Sequence, residues 1–472
     1  MEGLNDDIIL LIVDHLEDHG DRYNAIIVNH RFHELFSRAL YRSASLKNVS
    51  DVQSFLKTIT LQPSLASAVR SLDFEGWTFN DAQTLFSQDD IALFSNCAKA
   101  NCHSPEEHAQ WESDLSDGVD EAWIALLLSF TPNIRQLKLV YPSHSLEIRG
   151  YLDRLFQRVT TQQKPFDRRP AFTRLHDVSL RQVTRDDKAI GTFSPSQIEP
   201  FLRMPSLTRL AVDSLIEYRP DPSEEQTEVD AGQKVENLNV QTHSLSEITL
   251  TSSNAFNGLN TTLSSCPGLK SFKYQHTDAL LLAEGFRPSA FNTSLARHKA
   301  TLETIWLDNL GTHLPFTISG LNESHEEWFG SFAEFTALKD LRIRLTNLLY
   351  IQYSFEPVTP LTDVLPEGIE RLYIEDCKER SLGMLLAQVG LVLEARKTNG
   401  RFRRLRSLDI EGFFHDEEED ADTSGDGDGE GGGLAPAIKP RICEMVEPVR
   451  DVCERAGIRL SLRDRMCLHT MG

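Results

Sequence analysis

Within twelve residues this chain carries Cys97, Cys102, His103 and His108, thiols and imidazoles of the kind that hold zinc. Short-loop zinc sites pair two cysteines two to four residues apart and follow them with a separate histidine pair. Here the cysteines are five apart and the second adjoins a histidine, so the spacing predicts a surface loop with incidental thiols and no metal. A second set, Asp420, Asp422, Ser424, Gly425 and Asp428, reproduces the opening of a calcium loop with glycine at the sixth place. The twelfth place, which needs a carboxylate, is Gly431, and no helical pattern flanks the stretch. Residues 416–433 therefore read as a solvated acidic insertion. No nucleophile elbow, phosphate loop or zinc-protease motif occurs, and the lone histidines, His325 among them, lack triad partners. The residues predict neither catalysis nor a cofactor.

A third set suits binding. Lys273, Trp306, Asp308, Arg342, Arg344, Arg371, Tyr373 and Glu375 fall between or beside apolar residues of short alternating segments, as do Asp73, Glu75, Gln136, Lys138, Asp409 and Glu411. A tryptophan and a tyrosine flanking three arginines match the residue types that dominate protein-binding hot spots. Residues 300–375 are thus the expected recognition surface, with guanidinium groups able to grip an acidic or phosphorylated segment bidentately.

What must position that set is a recurrent hexad with large apolar residues at its first, fourth and sixth places. It recurs ten times, at intervals of 24 to 65 residues: Val69-Leu72-Phe74, Ile134-Leu137-Leu139, Leu175-Val178-Leu180, Leu207-Leu210-Val212, Leu245-Ile248-Leu250, Leu269-Phe272-Tyr274, Leu302-Ile305-Leu307, Leu338-Leu341-Ile343, Ile369-Leu372-Ile374 and Leu405-Leu408-Ile410. Ile458-Leu460-Leu462 is a looser eleventh. At 40% apolar composition chance alone supplies roughly 30 such windows, so context decides. A Pro, Gly or Thr repeatedly precedes the first place, as in Pro132-Asn133-Ile134, Pro205-Ser206-Leu207 and Pro267-Gly268-Leu269, and ends whatever comes before. The segment before the breaker is often helical in period, as in Trp123-Ile124-Leu127-Leu128 or Phe329-Phe332-Phe335, and the hexad after it alternates for one strand. Such a unit cannot bury its apolar edge alone, so successive strands stack into a parallel sheet with helices outside, an arc. An ordinary α/β domain whose strands share a pattern is the alternative.

From about residue 65 onward this resembles the leucine-rich repeat, in the irregular long-period variety of ubiquitin-ligase receptors. The resemblance implies an α/β solenoid, parallel strands inside and helices outside, over residues 46–472.

The first forty residues differ. From Asn5, a plausible N-cap, the apolar residues Leu4, Ile8, Ile9, Leu11, Ile12, Val13 and Leu16 cover more than one helical face, and turn residues come at once after them. A partner is implied. The next helix carries Val28, Phe32, Leu35 and Ala39 at four, three, four spacing. This stretch resembles an F-box, the helical module that docks a receptor onto the Skp adaptor of a cullin ubiquitin ligase, on Leu4, Asp7-Ile8 and Leu16, then Val28-Asn29-His30-Arg31-Phe32 and Leu35. Asn5 stands where such modules have proline, and Phe32 where they have tryptophan. With Leu40-Tyr41-Arg42, Phe55-Leu56 and Val69-Arg70-Ser71-Leu72, the order is similar to F-box and repeat proteins of filamentous fungi. The resemblance implies adaptor contacts at Leu4, Ile8, Leu11, Ile12, Leu16, Val28, Phe32 and Leu35, a head over residues 1–45, and a protein target on the repeats. A helical cap for the repeat end, or a repeat scaffold without any ubiquitin link, would share these features.

The formal charge is −22 over 472 residues; nine acids lie between Asp416 and Glu430, where no Lys or Arg occurs. An acidic body disfavours nucleic-acid partners. Seven scattered cysteines and no secretory pattern predict reduced thiols in the cytoplasm or nucleus. No apolar run reaches bilayer length; the best, Trp123 to Phe130 and Gly383 to Ala395, suit buried helices.

Overall fold

The breaker before several hexads folds as a tight turn. In a computed structural model of the chain, which describes residues 6, 9, 15, 16, 19–79, 88–143, 150–184, 191–217, 244–277, 286–308, 327–351, 356–415 and 438–465, the first residue of these hexads donates its amide to the carbonyl three residues earlier. Leu175 bonds Phe172 at 3.1 Å, Leu269 bonds Cys266 at 3.2 Å, Leu338 bonds Phe335 at 3.0 Å and Leu405 bonds Phe402 at 3.1 Å. Phe172 and Phe402 take positive φ, 55° and 54°, to make these corners. Each corner releases the chain into one short strand.

The strands belong to two compact units, Met1–Ser214 with Val240–Leu245, and Leu215–Asn239 with Ser246–Gly472. In the first, β1 (Ser43–Ser45), β2 (Ser71–Asp73), β3 (Gln136–Ser143), β4 (Asp177–Thr184) and β5 (Arg209–Asp213) pair in chain order, all parallel. In the second, β6 (Ile216–Glu217), β7 (Glu247–Ala255), β8 (Ser271–His276), β9 (Thr304–Asp308), β10 (Asp340–Arg344), β11 (Arg371–Glu375), β12 (Ser407–Gly412) and β13 (Arg459–Asp464) do the same. All eleven hexads thus sit on strands, the loose one on β13 included. The first ladder starts at Ser43, within the span expected to be head.

Register explains the spacing. The fourth-place residues stand directly opposite one another, Leu72, Leu137, Val178 and Leu210 in the first unit, and Ile248, Phe272, Ile305, Leu341, Leu372 and Leu408 in the second, where Leu460 of the looser copy joins the row. Every one is buried. Burying a side chain of this size contributes about 1.5–3 kcal/mol, and a one-residue slip would turn the whole row to water.

Helices cover the buried face. The helix Asp120–Phe130 is apolar nearly all round and is buried from Ala122 to Leu128. In the second unit Val389, Val392 and Leu393 of the helix Glu379–Asn399 and Cys453 of the helix Pro440–Arg455 close over Leu372, Leu405 and Leu408. Caps set several starts: Asn48 accepts the Asp51 amide at 3.0 Å, and Ser104, directly before Pro105, accepts that of Glu107 at 3.2 Å. One expected helix is absent. Phe329, Phe332 and Phe335 lie in irregular chain, because Gly330 between them adopts φ 114°, outside any helix. Their rings pack on one another instead, Phe329 on Phe332 at 4.3 Å.

The first two helices of the described residues share a small buried cluster within the first unit. The helices His19–Ile26 and His30–Leu40 bury Ile26 and Phe36 with Ile9, and Phe32, Leu35, Ala39 and Leu40 pack against these three.

Candidate protein-binding face

Strand alternation turns residues 273, 306, 342, 373 and 409 to the face opposite the buried hexads. The register then aligns them in one row across β8 to β12: Lys273 beside Trp306, Trp306 beside Arg342, Arg342 beside Tyr373, Tyr373 beside Asp409. Charges and rings interleave. The Lys273 ammonium lies 3.9 Å from the Trp306 ring centroid, and the Arg342 guanidinium sits 5.8 Å from Trp306 and 4.7 Å from Tyr373. Arg463 of β13 approaches Tyr373 from the other side at 5.7 Å. Each such contact is worth about 0.5–1 kcal/mol at an exposed site and more when desolvated. Lys273, Trp306, Arg342 and Tyr373 are half-buried and Asp409 is buried, so the row is amphipathic.

The arginines bring their own counter-ions. Arg342 donates to Glu375, Arg371 to Asp340 at 2.8 Å, Arg463 to Asp409 at 3.0 Å, and Arg344 to Asp376. Tyr373 donates its hydroxyl to Glu411; burial first, then this carboxylate, pushes the phenol well above its ordinary pKa. Two expected contact residues are corrected here. Glu375 has no exposed side-chain surface and Arg344 only 8%. Both stand at strand ends, where removal from water requires a charged partner, and each has one. Arg371 is the reverse case, 62% exposed with its carboxylate partner beneath it. Asp308 closes β9; its side chain lies outside the described residues. Sequence reading overlooked Asp340, Asp376, Arg463 and Arg465. Position 340 shares a cross-strand row with Arg371, a signal available once the register is known.

Of the residues expected to meet an adaptor, Phe32 and Leu35 are half-buried against the head core, with Phe32 4.9 Å from Phe36. Leu16 is half-buried and Val28 is 63% exposed. Leu4, Ile8, Leu11 and Ile12 lie outside the described residues. Asn29 caps the second helix, accepting the Phe32 amide at 2.9 Å, and Arg31 bonds Asp6 at 2.9 Å. Tyr23 and Ile27, which the sequence reading passed over, are 56% and 67% exposed.

Only half of the thiol and imidazole set lies in a loop: Cys102 and the exposed His103 fall in a turn, while Cys97 belongs to the last turn of one helix, Gln88–Lys99, and His108 to the first turn of another, Pro105–Ser116. Cys102 is buried, donating to the Ala98 carbonyl, and burial with the Glu107 charge pushes its thiol up to about 11. His108 bonds Ser95. The acidic insertion and the calcium-loop imitation lie outside the described residues. Among the described residues no helix is long and apolar enough to cross a membrane.

Parallel strand-and-helix units with their apolar rungs in register define a repeat protein whose open strand face offers an extended surface. The chain belongs to the leucine-rich repeat domain family, whose model matches residues 44–416, beginning inside β1 and passing through β12. No curated protein matches it. Domains of this family are typically non-enzymatic scaffolds for protein–protein interaction.

Proposed function

We propose that this chain is the substrate-recognition subunit of an SCF-type cullin ubiquitin ligase. Residues 1–45 dock the Skp-type adaptor, and the open face around Trp306, Arg342 and Tyr373 holds a protein target, in the cytoplasm or nucleus. The chain contributes proximity, and the transfer chemistry belongs to other subunits. The observation that carries this reading is apolar surface left over on the head. After Ile9, Ile26 and Phe36 have closed its core, Tyr23, Ile27 and Val28 remain more than half exposed, with Tyr23 and Ile27 four residues apart. Clustered exposed apolar residues mark an interaction site.

The target face supports the same reading. Its arginines are paired and Lys273 lies over the Trp306 ring, so it presents ring faces and buffered charge, which favours a folded or extended protein surface with its own aromatic and polar groups. The test is capture of a purified Skp-type adaptor by the full chain. Wild type retains it, and the double variant Ile27→Asp/Val28→Asp, whose substitutions are already at the surface, releases it. Equal retention by the variant rejects the docking role.

A further inference from the structure

The row of residues that enters the strands carries different charge in the two units. In the second unit the residues immediately before β8 to β12 are Lys270, Glu303, Lys339, Glu370 and Arg406, alternating in sign. They neutralise one another: Lys339 lies 2.6 Å from Glu303, whose carboxyl is held below its ordinary value by that bond and by the charges of Lys339 and Lys270. In the first unit the equivalent residues before β1, β2, β3 and β4 are Arg42, Arg70, Arg135 and His176.

Backbone bonds lock these four side by side, Arg70 to Arg42 at 2.8 Å, Arg135 to Arg70 at 2.6 Å and His176 to Arg135 at 2.9 Å. Arg174 adds a further guanidinium at the fourth rung. The segments leading in, 40–42, 66–70, 131–135 and 172–176, contain no Asp or Glu. Asp177, the nearest acid along the chain, is taken by Arg209 at 2.7 Å. Arg70 spends its guanidinium on the Ser67 and Val69 carbonyls, and no ion pair to Arg70, Arg135 or Arg174 forms among the described residues. Partial burial, then the charges of Arg135, Arg174 and Arg42, pull the Arg70 pKa down. Like charges held together at a cost, in a chain of net charge −22, call for an anion.

We propose that this edge of the first unit is a docking strip for an acidic peptide segment of a partner protein. Rungs are about 4.8 Å apart, so four of them span about 14 Å, the reach of four or five extended residues. A short carboxylate-rich segment matches that length. A nucleic acid is disfavoured by the net charge of −22.

The experiment is fluorescence anisotropy of fluorescein-labelled octaglutamate with the full-length chain. Wild type binds, more weakly as salt rises. The variant Arg135→Gln/Arg174→Gln, at two exposed positions that hold up no other part of the fold, binds roughly tenfold more weakly, the effect of two lost charge contacts. Arg135→Lys/Arg174→Lys keeps most of the affinity. Arg403→Gln/Arg404→Gln, an equal change of charge at exposed arginines of the second unit, stays within about twofold because only local charge matters at ordinary salt. The proposal is overturned by wild-type affinity in Arg135→Gln/Arg174→Gln, by an equal loss in Arg403→Gln/Arg404→Gln, or by an octathymidylate that binds as tightly as the peptide.

Discussion

Replacing Arg344 with methionine strands a carboxylate. Arg344 and Asp376 are each 8% exposed and meet between the end of β10 and the residue after β11. Removing one partner of a buried pair costs about 3–5 kcal/mol, because the remaining charge loses its compensation without regaining water. Asp376 takes φ 49° at the turn out of β11, so its backbone position is set by that turn. The double variant Arg344→Met/Asp376→Asn removes the charge and keeps a residue that tolerates the left-handed backbone, so it recovers more than half of the loss. The assay is urea unfolding of the full chain by circular dichroism, with hydrogen exchange of peptides spanning β10 and β11 to isolate the second unit from the first. The single variant lowers the midpoint of that unit by about 1–2 M urea. A single variant that loses less than about 1 kcal/mol, or a double variant no better than the single, refutes the claim that these charges are buried as a compensated pair.

Glu107 offers a pH-dependent case in the first unit. Burial pushes its carboxyl up, but the His103 amide, the Arg158 bond and the charges of Arg158 and Arg154 outweigh this and leave it below its ordinary value. A depressed carboxylate stabilises fully above its unfolded value, about 4.3, and the contribution fades as pH falls through the folded value. Glu107→Gln is therefore expected to cost about 1–2 kcal/mol at pH 7 and progressively less below pH ~4, and a thermal-shift difference equal at pH 3 and pH 7 contradicts it. The cysteines give a simpler test. Burial and the charge of Asp376 push the Cys377 thiol up to about 12, and Cys102 stands at about 11. Both should resist iodoacetamide at pH 8 in the native chain and react in urea, as read by peptide mass spectrometry; rapid native labelling at Cys377 would show that β11 opens.

The rungs were legible because the fourth hexad place almost always holds a large aliphatic or phenylalanine that faces its counterpart one repeat away. β1 escaped for that reason: its fourth place is Ala44, too small to stand out between Tyr41 and Leu46. The helix Asp120–Phe130 announced itself through Trp123, Ile124, Leu127 and Leu128, while Pro105–Ser116 hid behind its charges and shows only Trp111 and Leu115 to the interior. Gly330 broke a helical period that the phenylalanines alone suggested. On the open face, alternation put Trp306, Arg342 and Tyr373 opposite the buried hexads, and only the register shows that they are row neighbours. It could not foresee that Arg344 and Glu375 are buried, because their partners, Asp376 and Arg342, are set by a register between residues some thirty positions apart.

The contacts of β13 bear on how the ladder comes apart. Arg463 reaches back to Asp409 at 3.0 Å, Arg465 lies 3.1 Å from Glu411 with both side chains 3% exposed, and Asp464 accepts the Phe414 amide at 2.6 Å. In a stack held by nearest neighbours, fraying begins wherever a rung is cheapest to peel. Here the last described rung is riveted through its polar side as well as its greasy one. Peeling it parts an arginine–glutamate contact with both side chains 3% exposed along with the Leu460 seam, so this rung should fray less readily than one held by its apolar side alone.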